Sequence, residues 1–125
     1  MEEFKSIEGK ELALAVARYA DDKQAEDIIV LDLCGISSIA DYFVICAGSS
    51  SPHLKAIDRE INEKMSAEHG IMPRGREGHP KSQWLIIDYV DVIVHIFHRD
   101  RRDYYSLEDL WSDAGRVKFE SFQPS

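Results

Sequence analysis

Apolar positions along the chain fall into two helical stripes and several short, nearly continuous runs. Leu12, Val16, Tyr19 and Lys23 follow a helical spacing, with Ala13, Ala17 and Ala20 beside them. This predicts an amphipathic helix capped by Ser6 that ends in the polar stretch from Asp21 to Gln24. Ile28 to Leu33 and Tyr42 to Ala47 are short, rich in β-branched residues and nearly continuous in apolar character, and Gly35, Ser37 and Ser38 separate them. Such runs belong to strands covered on both faces. A second stripe, Leu54, Ile57, Ile61 and Met65, predicts a helix with Ser51 as N-cap, Pro52 at its first position and Gly70 as its stop.

A basic, Gly- and Pro-containing loop follows from Pro73 to Ser82, with a short edge strand near Met72 to Arg76. Trp84 to Tyr89 and Val92 to His98 then read as an antiparallel hairpin around Val90 and Asp91. A strand, a helix and another strand before it form a βαβ crossover. Ser106 and Asp109 resemble a capping box ahead of Leu107, Leu110 and Trp111. The pattern therefore predicts an α/β domain over residues 1–113. It has a mixed sheet of four to five strands flanked by helices in the order α-β-β-α-β-β-α, with residues 114–125 as a loose tail.

Composition narrows the class. The chain has 125 residues, 15 Lys plus Arg against 23 Asp plus Glu, and a net charge of −8. A single domain of this size needs no disulfide or metal to fold. The charge argues against a basic face for nucleic acid. One stretch, residues 73–102, is locally positive and offers at most a limited phosphate-facing rim. No window is apolar enough for a membrane span, and the first ten residues resemble neither a secretory signal nor a transit peptide, so a cytoplasmic protein is expected. Cys34 and Cys46 read as buried free thiols.

Four features bear on chemistry. The Gly48-Ser49-Ser50-Ser51 turn leads into a helix N-terminus, where an anion can sit, but it lacks the P-loop lysine. Asp88 and Asp91 are three residues apart, which places them on opposite faces of a continuous strand unless the turn reorients Asp91. His95 and His98 have the same spacing and the same difficulty, so no metal site and no cofactor are expected. Trp84, Tyr89, Phe97, Tyr104, Tyr105 and Trp111 crowd the last third of the chain, either as core or as a protein-binding surface.

Taken in order, Leu31-Asp32-Leu33, the run from Ser37 to Ile45, the serine turn with His53, and above all Trp84 to Tyr89 with Asp91 to Phe97 resemble the ribosomal silencing factor family, also called the Iojap family. Tyr105, Leu107, Leu110 and Trp111 resemble its closing segment. The resemblance implies a nucleotidyltransferase-like fold without catalysis. It also implies binding to the large ribosomal subunit through ribosomal protein number fourteen, which blocks joining of the small subunit when nutrients are scarce. Two positions depart from the family pattern: Pro52 stands where an arginine is usual, and Val90 where a glycine is usual. The second departure predicts a turn without a positive φ there.

The expected partner-binding residues are Trp84, Leu85 and Asp88, supported by Tyr89, His95, Phe97, Tyr105 and Leu110. Strand alternation already means that not all of them can face one partner. Two other readings remain. A Mg-dependent nucleotidyl or phosphoryl transferase would need paired acids soon after the Gly-Ser turn, whereas Gly48 precedes Asp88 by 40 residues. A self-associating scaffold, such as a homodimer, would use the aromatic surface on itself.

Overall fold

The computed structural model describes residues 7–79, 83–100 and 115–119. Helix α1 (Gly9–Asp22) leads into strands β1 (Glu26–Asp32) and β2 (Tyr42–Gly48), then helix α2 (Ser51–His69). Strands β3 (Gly75–His79), β4 (Trp84–Asp88), β5 (Val92–His98) and β6 (Gly115–Val117) follow. The sheet therefore has six strands rather than four to five, in the order β3-β4-β5-β2-β1-β6. Residues 115–117 pair antiparallel with β1, which corrects the expected loose tail at those positions. The predicted closing helix lies outside the described residues.

Among the described residues, only β2 and β5 pair in parallel; every other neighbouring pair is antiparallel. The crossover is thus longer than a single strand-helix-strand unit. After α2 the chain runs to the far edge as β3, returns as β4, and then inserts β5 beside β2.

Both helices pack on one face of the sheet. Leu54, Ile57, Ile61 and Met65, the stripe anticipated from spacing, are all fully buried. They meet Val44, Cys46, Val94 and Ile96 from the central strands, together with Leu12, Val16 and the alanines of α1. Full burial of an isoleucine or leucine here contributes about 1.5–3 kcal/mol, so the helix stripe and the sheet hold each other in place. The opposite face carries a second cluster, Leu31, Leu33, Ala40, Phe43, Ile45, Ile93 and Phe97. Two apolar faces explain why β2 is buried along its whole length.

Helix ends follow local chemistry, with two corrections. Glu8, not Ser6, is the N-cap of α1 and makes no side-chain capping bond. Ser50, not Ser51, caps α2 and accepts a hydrogen bond from the His53 backbone N–H, leaving Pro52 in the first turn. Gly70 ends α2 in the left-handed conformation at φ 66°, as its position predicted. Cys46 is buried, but Cys34 is exposed on the β1–β2 loop, contrary to expectation.

Gly78 has φ +91°, and a Cβ there would lie 2.1 Å from the Trp84 carbonyl oxygen. Gly78→Ala is expected to peel the edge strand β3 from β4 at a cost of about 1–2 kcal/mol, with the rest of the domain intact. Faster amide exchange across Gly75–His79, with little change elsewhere, would show this.

Candidate functional site

The β4–β5 hairpin divides the expected partner residues between two faces. Its register pairs Trp84 with Phe97, Ile86 with His95 and Asp88 with Ile93. These six side chains share the face away from the helices, because successive residues of a strand alternate. Leu85 and Tyr89 point the other way, into the helix-side core. There the Tyr89 hydroxyl donates to Asn62 Oδ1 at 2.8 Å, and burial pushes its pKa up, with the Asp58 carboxylate adding to the rise. Both expected partner residues are therefore buried against the helix side in the free chain. Phe97 is also fully buried and His95 nearly so, which makes them the bed of the surface rather than its contacts. Tyr105 and Leu110 lie outside the described residues.

Trp84 and Asp88 remain at the surface, both half-buried. The Trp84 indole stacks on Phe97 with ring centroids 5.3 Å apart and on His95 at 6.2 Å. Phe43 meets His95 edge-on at 4.8 Å. Such ring contacts each add about 0.5–1.5 kcal/mol beyond area burial, so Trp84 rests on a stiff aromatic bed. Its Nε1–H points at His95 Nδ1 at 3.4 Å, a long contact. His95 Nε2 is buried and has no hydrogen-bond partner. Burial lowers the His95 pKa from 6.5 to about 4, so the ring is neutral at physiological pH.

Asp88 is held from within the chain. Its Oδ2 accepts from Arg74 Nε at 3.1 Å and Nη2 at 2.7 Å, and its Oδ1 accepts from the Val90 N–H at 2.7 Å. The bond from the Val90 N–H fixes the hairpin tip, where Val90 adopts φ 75°. This corrects the expectation of a turn without positive φ: the tight connection imposes the left-handed conformation on a β-branched residue. Beside Asp88, the residues Gly75, Glu77, Ile86 and Ile93 line an open depression of about 190 Å³. Ile86 was legible from alternation with Trp84. Arg74 carried no local signal, since it reaches Asp88 across 14 positions of sequence.

The serine turn spends its donors internally. Ser49 N–H donates to His53 Nδ1 at 2.8 Å, and His53 Nε2 donates to the Lys23 carbonyl at 2.7 Å. With Ser50 capping the helix, the group Gly48, Ser49, Ser50 and Ser51 ties the start of α2 to the end of α1. A Cβ on Gly48 would lie 2.8 Å from Leu54 and 3.3 Å from the His53 ring. Among the described residues, no three His, Cys, Asp or Glu side chains gather as a metal would require. No helix there is long and apolar enough to cross a membrane.

Comparison with known proteins decides the family. Residues 6–125 match the family model described as ribosomal silencing factor during starvation. The chain belongs to the ribosomal silencing factor family. Its similarity to the silencing factor of Bacillus subtilis is 48% identity over 105 residues, covering 84% of this chain and 88% of that one. A crystal structure from Bacillus halodurans has a TM-score of 0.75 at 40% identity and covers 89% of this chain and 100% of that one. One from Chromobacterium violaceum reaches 0.80 at 28% identity, covering 94% and 98%. Within the silencing-factor fold, the exposed part of the hairpin face thus reduces to Trp84, Ile86 and Asp88, backed by buried aromatics.

Proposed function

We propose that this silencing-factor family member binds the large ribosomal subunit through ribosomal protein number fourteen and blocks joining of the small subunit, lowering translation when nutrients are scarce. It works by occupancy in the cytoplasm, without a chemical step and without a cofactor. A factor seated where the other subunit must dock inhibits in proportion to its bound fraction. The observation that carries this reading is the rigid outer face of β4, where Trp84 is half-buried on His95 and Phe97 and Asp88 stands beside an open depression. Half-buried tryptophans on stiff supports are frequent binding anchors, because little side-chain entropy remains to be lost. Asp88 offers a carboxylate to a basic ribosomal protein. Its present partner Arg74 is 58% exposed at the side chain and can exchange for a lysine or arginine from outside. The net charge of −8 favours a protein contact over ribosomal RNA, so any contact with RNA is limited to the rim.

Titration of isolated large subunits with the full chain tests the proposal. The Trp84→Ala, Asp88→Ala double variant is expected to bind at least tenfold more weakly and to permit subunit joining at concentrations where the parent blocks it. Parent-like binding by a folded double variant would refute this surface.

A further inference from the structure

Among the described residues, four large apolar side chains are exposed: Ile36 at 46%, Ile39 at 64%, Met72 at 70% and Val90 at 49%. They are far apart in sequence, yet the topology brings them to one end of the sheet. The registers Asp32 with Tyr42, Tyr42 with Val92, Asp88 with Ile93 and Gly75 with Asp88 place the end of β1, the start of β2, the β4–β5 turn and the start of β3 side by side. The loops that emerge there carry Ile36 and Ile39, then Val90, then Met72. Backbone bonds join them: Asp41 and Tyr42 N–H both donate to the Asp91 carbonyl, and Arg74 N–H donates to the Asp88 carbonyl. From β3 to β1 is four strand spacings, so the rim is roughly 20 Å long.

The charged residues around it are mostly acidic. Asp41 and Asp91 are exposed, and Asp32 is half-buried with Oδ1 accepting the Cys34 N–H. The sole basic residue in loops 33–41, 70–74 and 89–91 is Arg74, which pairs with Asp88 in the free chain and is outnumbered by the carboxylates. Val90 adds a separate sign of use: its left-handed backbone is one that glycine holds without strain, yet it projects a β-branched side chain from the turn tip into water.

We infer that this three-loop rim is a second docking element, fitted to a basic protein surface that also presents apolar side chains. The inference rests on the ribosomal reading above and extends it past the hairpin face. Gly75, Asp88 and Ile93, which line the depression together with Glu77 and Ile86, lie at the same end of the sheet, so rim and face adjoin. Apolar anchors within an acidic border match a cationic protein, whereas an RNA backbone would be repelled by the same aspartates.

The test is titration of isolated large ribosomal subunits with the full chain, alongside thermal melting and mass measurement in solution. Ile39→Ser, Met72→Ser, Val90→Gly is expected to melt no lower than the parent, because Val90→Gly relieves backbone strain, and yet to bind about tenfold more weakly. Asp41→Lys, Asp91→Lys is expected to weaken binding as well. Binding by the triple variant within twofold of the parent overturns the rim. If Trp84→Ala, Asp88→Ala remains defective in that event, the hairpin reading stands without the rim; a parent chain that fails to bind large subunits overturns both. Charge reversal that strengthens binding would put phosphate opposite the rim and overturn the inference. Loss of self-association by the triple variant with subunit binding intact would do the same.

Discussion

Acidification from pH 7 to pH 4 is expected to remove about 3 kcal/mol of folding stability through the single imidazole of His95. The ring lies on the outer face of β5 between Trp84, Phe43 and Phe97, with Nε2 buried and without a partner. Protonation there would place a charge among aromatic rings, and burial lowers the pKa from 6.5 to about 4. The unfolded chain, whose histidine keeps the ordinary value, takes up this proton at higher pH than the fold does. The stability is therefore complete above about pH 6.5 and is lost as pH falls through about 4.

Urea denaturation of the parent and of His95→Leu at pH 7, 5.5 and 4.5 isolates the effect, since carboxylates shared by both chains cancel in the difference. The parent should lose stability relative to His95→Leu as pH falls, by about 1 kcal/mol per unit averaged over that window. A pH-independent difference between them would show that His95 is hydrated in the fold. The same substitution is expected to weaken ribosome binding at neutral pH, because the bed beneath Trp84 loses one of its rings.

Arg76→Met is expected to cost about 2–3 kcal/mol. Asp58 is a buried residue of α2 whose Oδ2 pairs with Arg76 on β3 and whose Oδ1 accepts from Asn62 Nδ2 at 2.8 Å. Asn62 in turn accepts from Tyr89 at the end of the hairpin, so one chain of polar contacts joins α2, β3 and the β4–β5 turn. Removing the arginine leaves a carboxylate with one side-chain donor in a poorly hydrated place. Breaking a fully buried pair costs about 3–5 kcal/mol, and the value is lower here because the Arg76 side chain is 54% exposed and water can take part of its place. Asp58→Leu, Arg76→Met should recover most of the loss, since no charge is then stranded. Urea midpoints of the single and double variants measure both effects. A loss below about 0.5 kcal/mol for Arg76→Met would mark the pair as a solvated surface contact.

The elements that could be read without coordinates are those whose signal is local. The stripe Leu54, Ile57, Ile61, Met65 has helical period, and all four side chains are buried. Gly70 stops the helix where its backbone freedom is needed, and the apolar runs Ile28 to Leu33 and Tyr42 to Ala47 became strands β1 and β2. The edges were less legible. β6 is three residues long and depends on the free edge of β1, which its own residues do not announce. The Val90 turn went the other way from expectation, because the connection between two fixed strands outweighs the preference of one side chain.

The site divides along the same line. By itself, the sequence determined a covered α/β sheet, two amphipathic helices, an acidic chain and an aromatic hairpin of the silencing-factor family, because periodicity, composition and motif order are properties of neighbours along the chain. Only the tertiary structure decided that Leu85 and Tyr89 face the helices, that Phe97 and His95 lie beneath Trp84, and that Arg74 already holds Asp88. It alone gathered Ile36, Ile39, Met72 and Val90 at one end of the sheet. The physical reason is that exposure and partnership depend on what strand pairing brings across from distant segments, and a one-dimensional pattern carries the alternation of a strand but not the identity of what covers it.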